Sequence, residues 1–385
     1  MALRARAAPV GLPASQWGRG GVPEQENLMR RLLLEGMNRY ARISGRDSIW
    51  VSAAVARVER RVDEMLGGAA ERALTYRMRR RLPPIIDAAS GAPLSETDRY
   101  WRKHTVRGRT FLSRQASLDY IAELTDGRPL KRELLRLHGP HEGKCILDFG
   151  CGPGNDLAGF AEFSGAALVI GVDVSPKALD LARRRVSWHV RDPRRVAFIR
   201  IADGQVRLPL ENASVDYIQS LGVIHHASDP TAILREFHRL LKPGAEARIM
   251  VYNADSVHVQ LEVGYIWRLV NGAMKDKSPE AAFSATADLG APIAHCLRPA
   301  DVAGWLEGVP FDLEYLGGFF VPGEASGWQE KRDRALADSR LGDHQRSFLA
   351  GLEIGAQGLP YHRGKPAGLG AVYVLSKRSG WRLAP

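Results

Sequence analysis

One stretch near the middle of the chain decides the fold, Cys145-Ile-Leu-Asp148-Phe-Gly150-Cys-Gly152-Pro-Gly154-Asn-Asp156. Residues 145–149 form a short apolar run around a single acid, which is typical of a buried strand. The glycines that follow let the backbone turn sharply and approach a ligand without Cβ clashes. A helix predicted from about residue 155 directs free N–H groups and its positive dipole end at that turn. The sequence therefore predicts a strand–turn–helix unit that binds a ligand.

The glycine spacing separates two kinds of ligand. A dinucleotide-binding turn reads G-x-G-x-x-G, whereas Gly150, Gly152 and Gly154 read G-x-G-x-G and Asn155 stands where the third dinucleotide glycine belongs. A nicotinamide dinucleotide is therefore not predicted. The turn alone also fits a tight strand–helix connection without a ligand, so the neighbouring strands carry the interpretation.

Two more predicted strands end in an acid. The second strand leads to Asp173, 19 residues after Gly154, and the third leads to Asp203 and Gly204. In nucleotide-binding α/β folds an acid at the end of the second strand accepts hydrogen bonds from ribose hydroxyls. A carboxylate suits that task because its two oxygens meet two vicinal donors. The alternative for Asp173 is a cap on the following helix.

From residue 140 onwards, short apolar runs alternate with helical segments, the pattern of βαβ units and a parallel sheet. We predict an α/β fold with a Rossmann-like, seven-stranded, mostly parallel sheet flanked by helices. Its strands are predicted at Lys144–Phe149, Ala167–Val172, Val196–Ile201, Val215–Ser220, Ala247–Tyr252, Phe311–Phe319 and Gly370–Lys377, and its helices at about 155–163, 175–188, 229–241 and 299–306.

Three regions are predicted along the chain. Residues 1–25 are interpreted as a mobile tail, 26–139 as a helical N-terminal extension or lid, and 140–385 as the main domain. Within 26–139 we expect a linker over 85–97 and a helical stretch over 97–136. The main domain carries insertions over about 256–297, with a helical start at Val259–Met274, and 321–369, with a charged helix over about 329–352.

These segments together resemble the class I S-adenosyl-L-methionine (SAM)-dependent methyltransferases, specifically the small-molecule type with a "methyltransferase domain 11"-like core. Further segments carry the resemblance: Leu208–Ile218, which leads into the fourth strand; Ser220–Pro230, which contains a pair of histidines; and Leu241–Gly244, the turn before the fifth strand. The order and spacing agree over about residues 143–253. The resemblance implies a methyl transfer to a small molecule, with SAM as the cofactor.

The resemblance also implies cofactor-binding residues at the carboxyl ends of the strands. The glycine turn would hold the methionine part of SAM, Asp173 the ribose, and Asp203 the adenine amine. The full predicted set is Asp148, Gly150, Cys151, Gly152, Gly154, Asp156, Asp173, Val174, Asp203, Gly204, Ser220 and Leu221.

A hydroxyl acceptor must lose a proton during methyl transfer, commonly to a positioned His or carboxylate. His225 and His226 follow the fourth strand and are the predicted catalytic residues, with O-methylation preferred over N- or C-methylation. The alternative is that they line the pocket or cap the next helix without moving a proton. Predicted substrate or lid residues are Tyr100, Trp101, His104, Tyr252 and Asn253.

Composition bounds the remaining possibilities. The 385 residues carry a formal charge of +11, and residues 1–105 hold 19 basic and 11 acidic side chains. A basic surface of this kind is consistent with an RNA methyltransferase, and retained SAM binding is consistent with a non-catalytic binding protein, so both stay as alternatives. The expected partner is nevertheless a small molecule, and nucleic acid is not expected. The sequence does not indicate the oligomeric state.

The three cysteines, Cys145, Cys151 and Cys296, show no metal-ligand spacing, and we predict no metal site. No apolar run is long enough to cross a bilayer and no secretory signal is recognisable, so a cytoplasmic location is expected.

Overall fold

The computed structural model describes residues 82–378, with gaps at 90, 92 and 112. The predicted tail and the first part of the predicted helical extension lie outside these residues. The strands are β1 Ile85–Asp87, β2 Cys145–Phe149, β3 Leu168–Asp173, β4 Val196–Arg200, β5 Val215–Leu221, β6 Leu241–Asn253, β7 Cys296–Leu297, β8 Phe311–Phe319, β9 Leu352–Ile354, β10 Pro360–His362, β11 Lys365–Pro366 and β12 Gly370–Lys377.

The α-helices of this part of the chain are α1 Glu96–Lys103, α2 Arg114–Asp126, α3 Lys131–Leu135, α4 Leu157–Phe163, α5 Pro176–Val186, α6 Pro230–Leu240, α7 Pro279–Thr286, α8 Pro299–Trp305, α9 Trp328–Ala337 and α10 Asp343–Ala350. A π-helix spans His258–Val270. None of the helices within 82–378 combines the length and apolar character that a membrane span requires.

A mixed sheet forms the centre of the fold, with strand order β1-β4-β3-β2-β5-β6-β12-β8 and β7 beside β6. The pairs from β1 to β6 are parallel, and β12 lies antiparallel between β6 and β8. Helices cover the sheet, so its central strands are apolar on both faces. Leu147, Ile170, Ile218 and Ile249 are at most 2% exposed and belong to one core. The predicted α/β architecture is confirmed.

All seven predicted strands are present, but the sheet has nine. The two additional strands, β1 and β7, are three and two residues long, too short to show a periodicity in the sequence. β1 lies in the predicted linker 85–97, and Ile85 pairs with Phe198 at the edge of the sheet. A linker was therefore the wrong interpretation for these three residues, because edge pairing depends on a strand more than a hundred residues away.

The predicted helical stretch 97–136 is divided into α1, α2 and α3. Ser95 begins α1 with a capping box, and Ser113 begins α2 with a side-chain cap on the Ala116 amide. Leu130 and Arg136 adopt left-handed backbone conformations at the two ends of α3. These local caps and turns break a pattern that reads as one helix from its apolar residues alone.

The two segments predicted as insertions contain secondary structure of their own. The π-helix occupies the predicted helical start of 256–297. The predicted helix 329–352 is two helices, α9 and α10, and a small antiparallel sheet β11-β10-β9 follows. Where the N-terminal extension ends stays a prediction, but α3 contacts the core closely, since Arg248 donates to the Leu134 carbonyl and Tyr217 donates to the Leu135 carbonyl.

Candidate active site

A cavity of about 360 Å³ opens at the carboxyl ends of β2, β3, β5 and β6. Open α/β sheets bind their ligands at this edge, and the volume lies in the range of small-molecule sites. Trp101 of α1 and Asp288 of the first insertion complete the wall. The cavity therefore combines the ends of the core strands with both flanking segments.

The glycine turn and Asp173 form one hydrogen-bonded unit. The Gly152 amide donates to Asp173 Oδ2 and the Ser175 amide donates to Oδ1, each at 2.8 Å. Burial raises the pKa of Asp173, and these backbone donors oppose the rise. Gly150 has φ +76° and leaves no room for a side chain, since a Cβ there would lie 2.1 Å from Val223 Cγ2. A carboxylate offers about four acceptor sites, so Asp173 can still accept from a ligand.

Opposite charges meet at the β2 end of the cavity. Asp148 is 3% exposed, and its Oδ2 has no hydrogen-bond partner among the described residues. Burial, with Asp156 and Asp173 nearby, raises the pKa of Asp148 well above its usual value. Burial also acts to raise the pKa of Asp156, but Lys131, with Nζ 3.4 Å from Asp156 Oδ1, together with His138 and Arg185 outweighs it and lowers that pKa. A ligand cation would satisfy the free oxygen of Asp148.

Three basic residues line the cavity but were not predicted as site residues from the sequence: Arg107, Arg128 and Lys131. Arg128 is 9% exposed, and burial lowers its pKa to about 10, so the guanidinium stays charged at neutral pH. The sequence shows only that residues 99–136 are rich in Arg and Lys. Which of those side chains face the cavity depends on how α2 and α3 pack on the sheet.

Asp203 does not reach this cavity wall. Its carboxylate accepts from Ser95 Oγ and from the Ser228 amide, both at 3.1 Å, and it is 7% exposed. The side chain therefore joins α1 to the segment after β5. An apolar wall of Val174, Ile201 and Val223 lies next to Asp173 instead.

The predicted site residues as a whole fall into two groups, those that line the cavity and those that do not. Those that line the cavity are Trp101, His104, Asp148, Gly150, Cys151, Gly152, Asp156, Asp173, Val174, Leu221, His226 and Tyr252, and those that do not are Tyr100, Gly154, Asp203, Gly204, Ser220, His225 and Asn253. Gly154 packs against α5 instead, where a Cβ would lie 3.1 Å from Ala182. Asn253 donates to the Gly368 carbonyl at 3.0 Å.

His226, Tyr252 and Asp288 form a cluster at the end of the cavity formed by β5 and β6. His226 Nδ1 lies 2.5 Å from the Ile293 carbonyl, and Nε2 lies 3.0 Å from Asp288 Oδ2 without the alignment of a hydrogen bond. The Tyr252 hydroxyl donates to Asp288 Oδ2. Burial and Asp288 raise the pKa of Tyr252 well above its usual value, so the phenol remains a donor. Burial opposes ionisation of Asp288, but His226 and Tyr252 hold its pKa below the usual value.

His225 is fully buried behind this cluster. Its ring lies 4.2 Å from the rings of both His226 and Tyr252, and neither nitrogen has a hydrogen-bond partner among the described residues. Burial, reinforced by His226 and His295, lowers the pKa of His225 well below its usual value. The ligand atoms of His225, His226 and Asp288 all lie within 4.8 Å of one another. No metal site was predicted from the sequence. Asp288 lies more than 60 residues after the two histidines, so no short motif joins the three side chains.

Helix α1 closes the cavity from the other side. The Tyr100 hydroxyl donates to the Asp288 carbonyl, and the Tyr100 ring stacks on His104 with centroids 4.1 Å apart. The rings of Trp101 and His226 pack edge to face, with their centroids 5.1 Å apart. The aromatic residues of α1 therefore contact the first insertion directly above the cluster.

Comparison with known proteins places this geometry in a family context. Residues 147–249 match the family model described as "Methyltransferase domain". The chain is 35% identical to "Methyltransferase GfsG" of Streptomyces halstedii over 35% of its length and 46% of the relative's. It is 34% identical to an arsenite methyltransferase of Aquipseudomonas alcaligenes over 30% and 34%.

A third similarity is to a ubiquinone biosynthesis O-methyltransferase of Neisseria meningitidis, with 29% identity over 38% of this chain and 61% of the relative. The matched segments thus span between about a third and three fifths of these relatives. The family model's residues 147–249 contain β3, β4 and β5 and most of β2 and β6, whose carboxyl ends surround the cavity. Over residues 147–249 the chain therefore contains a methyltransferase domain.

Proposed function

We propose that the chain transfers a methyl group from SAM to a small-molecule acceptor, and that the methylated atom is an oxygen. The observation that carries this proposal is the pairing of two sites in one cavity. One end holds the glycine turn, Asp173 and a set of opposite charges. The other end holds His226, Asp288 and Tyr252, which suit the removal of a hydroxyl proton.

The charged end fits the methionine part of SAM. Asp148, with its unpartnered oxygen, would accept from the ammonium group, and Lys131 and Arg128 would face the carboxylate. Asp173 would accept from the ribose hydroxyls through its remaining acceptor sites. Val174 and Ile201 would contact the adenine ring. The role predicted for Asp203 is not part of this proposal, because its carboxylate is engaged away from the cavity.

The cluster end fits an acceptor hydroxyl. SAM supplies a methyl group on a cationic sulfur, an electrophile that needs no further activation. The protein must then orient the acceptor, exclude water and take its proton. Because His226 Nδ1 faces the Ile293 carbonyl, its proton stays on Nδ1 and the Nε2 lone pair is free. Asp288 Oδ2 lies 3.0 Å from this same nitrogen, so its negative charge would stabilise the imidazolium that forms when Nε2 takes the proton.

Of the two predicted histidines, His226 is therefore the proposed base. His225 does not line the cavity, so it supports His226 and Tyr252 from behind. The name of the Neisseria relative describes an O-methyltransferase, which agrees with an oxygen acceptor. The name of the Aquipseudomonas relative describes an arsenite methyltransferase, so the acceptor atom has to be measured.

Calorimetric titration of the full chain with SAM, its demethylated product and NAD tests the cofactor. We expect micromolar binding of the first two and none of NAD. Transfer of a labelled methyl group to a panel of phenols, alcohols, amines and thiols then tests the acceptor. Failure of SAM to bind would contradict the proposal as a whole. Transfer to amines alone would contradict the oxygen preference, and binding without transfer to any class would favour a non-catalytic SAM-binding protein.

A further inference from the structure

We propose that His225, His226 and Asp288 bind a divalent transition-metal ion at the end of the cavity opposite the glycine turn. The donor set is two imidazole nitrogens and one carboxylate oxygen, all within 4.8 Å of one another. Two histidines and one carboxylate form a common protein site for Zn²⁺ and Fe²⁺ that leaves coordination positions open. Metal–ligand bonds of about 2.0–2.2 Å set tetrahedral ligand atoms about 3.4 Å apart, so small side-chain adjustments would bring the three donors to these distances.

The orphaned imidazole of His225 is the second observation. Buried polar groups almost always have a hydrogen-bond partner, yet this side chain is fully buried and both its nitrogens lack one among residues 82–378. The gap between His226 and Asp288 points the same way. Nε2 and Oδ2 lie 3.0 Å apart but are not aligned as donor and acceptor. A cation between the three side chains would give a partner to one nitrogen of His225, to His226 Nε2 and to the Asp288 carboxylate.

The surroundings of the cluster match the outer shell of a metal site. Histidine ligands usually donate their other ring N–H to a carbonyl or carboxylate, and carboxylate ligands are themselves hydrogen-bonded. Here His226 Nδ1 contacts the Ile293 carbonyl, and Asp288 accepts from the Tyr252 hydroxyl. Tyr100 further fixes the backbone of Asp288 by donating to its carbonyl. Both cavity-facing ligands are therefore held in place.

The position of the ion has a consequence for the acceptor, which rests on the proposed function. His226 and Asp288 line the cavity, so the open coordination positions face the acceptor. An ion there favours acceptors with oxygen donors, such as vicinal hydroxyls or a hydroxyl beside a carbonyl. While the ion is bound, His226 Nε2 is a ligand and cannot take a proton, so the ion and the His226 base are alternative ways to activate the same oxygen.

Metal binding is tested on the full chain after treatment with a chelator and without SAM. Zn²⁺ affinity is measured by competition with a chromophoric chelator, and Co²⁺ is used to report the coordination from its visible absorption. We expect one Zn²⁺ per chain and no comparable binding of Mg²⁺, which prefers oxygen ligands. Asp288→Asn and His226→Ala are expected to weaken Zn²⁺ binding at least about 10-fold each.

The matched control is His344→Gln. His344 also lies beside a carboxylate, with Nε2 3.2 Å from Asp255 Oδ1, but its side chain is exposed and does not line the cavity. This variant should keep the wild-type Zn²⁺ affinity. Loss of binding in His344→Gln with retention in Asp288→Asn would assign the ion to the surface and overturn the proposal, as would absence of Zn²⁺ binding in the wild type.

The variant Asp288→Asn retains the shape of the side chain, and its SAM affinity is measured in parallel to show that it folds. The two proposals fail separately. A chain that binds SAM but no Zn²⁺ retains the proposed function without the metal. A chain that binds Zn²⁺ through the cluster but no SAM retains the metal site and contradicts the proposed function.

Discussion

Gly152 and Asp173 are joined by a 2.8 Å hydrogen bond from the backbone amide of the glycine turn to the carboxylate at the end of β3. The acid proposed to bind the ribose of the cofactor thus also holds the loop proposed to bind its methionine part. A second backbone donor, the Ser175 amide, occupies the other oxygen. Changes at this acid should therefore affect both the shape of the turn and its affinity for a ligand.

Replacement of Asp173 tests this double role. We expect Asp173→Ala to weaken SAM binding at least about 10-fold, since charged hydrogen bonds contribute about 1.5–3 kcal/mol each. The free energy of unfolding should fall by about 2 kcal/mol because two amides lose their acceptor. Calorimetry and urea denaturation measure the two effects. The control Asp180→Ala removes an acid of α5 that pairs with surface arginines and should change the unfolding free energy by less than about 0.5 kcal/mol. An unchanged SAM affinity in Asp173→Ala would remove the ribose assignment.

Replacement of Lys131 tests the charged end of the cavity. Lys131→Met removes the cation that contacts Asp156 and leaves two acids, the buried Asp148 and the partly buried Asp156, beside the glycine turn. We expect SAM affinity to fall by about 10-fold or more, because the cofactor carboxylate loses a charge-assisted partner. The control Lys144→Met removes an exposed lysine just before β2 and should bind SAM as the wild type does. Equal affinities in the two variants would show that Lys131 does not contact the cofactor.

The two histidines after β5 should behave differently from one another. His226→Ala is expected to keep its SAM affinity and to lose about 10²–10⁴-fold in methyl-transfer rate. His225→Ala is expected to act mainly on stability and to lower the melting temperature, because it creates a cavity in a packed interior. Calorimetry, a labelled-methyl assay and thermal unfolding are run on both, with His344→Gln as the control. A His226→Ala variant that no longer binds SAM would make this residue a cofactor ligand.

Acid should destabilise the protein through His138. Burial lowers its pKa to about 4 in the folded state, whereas an unfolded histidine has a pKa near 6.5. Between these values the unfolded chain binds more protons, so the contribution is complete above pH 6.5 and is lost as the pH falls towards 4. The full loss amounts to about 3 kcal/mol, of which about 2 kcal/mol falls between pH 7 and pH 5. Urea denaturation at these two pH values measures that part. His138→Gln should reduce the pH dependence, and a slope identical to that of His344→Gln would contradict this account.

Two glycines with similar backbone angles separate strain from crowding. Gly150 and Gly143 have φ values of +76° and +69°, but only a Cβ at Gly150 meets a neighbour, Val223 Cγ2 at 2.1 Å. Gly143→Ala should lower the free energy of unfolding by about 1–2 kcal/mol from backbone strain alone. Gly150→Ala should lower it further and also weaken SAM binding. Equal losses in urea denaturation would show that the turn moves freely away from Val223.

The positions of the core strands followed from local patterns. A buried strand is a run of apolar residues, and a turn is a set of glycines, so both can be recognised within about ten residues. The seven predicted strands, the turn at Gly150–Gly154 and the acid Asp173 are all placed in the structure as those patterns predict. The short strand β1 and the helix caps at Ser95 and Ser113 were not predicted, because the sequence signal of each is weaker than the apolar pattern of the residues around it.

Which side chains line the cavity depended on contacts between segments that are distant in the sequence. Asp203 follows β4, but Ser95 and Ser228 hold its carboxylate away from the wall. Asp288 lies in an insertion that no motif singles out, yet it meets His226 and Tyr252.

By itself, the sequence determined the seven longer strands, the glycine turn and the methyltransferase resemblance, because neighbouring residues encode them. Only the tertiary structure decided which side chains share the cavity. Those side chains come from segments that are far apart in the sequence and meet only when the chain has folded.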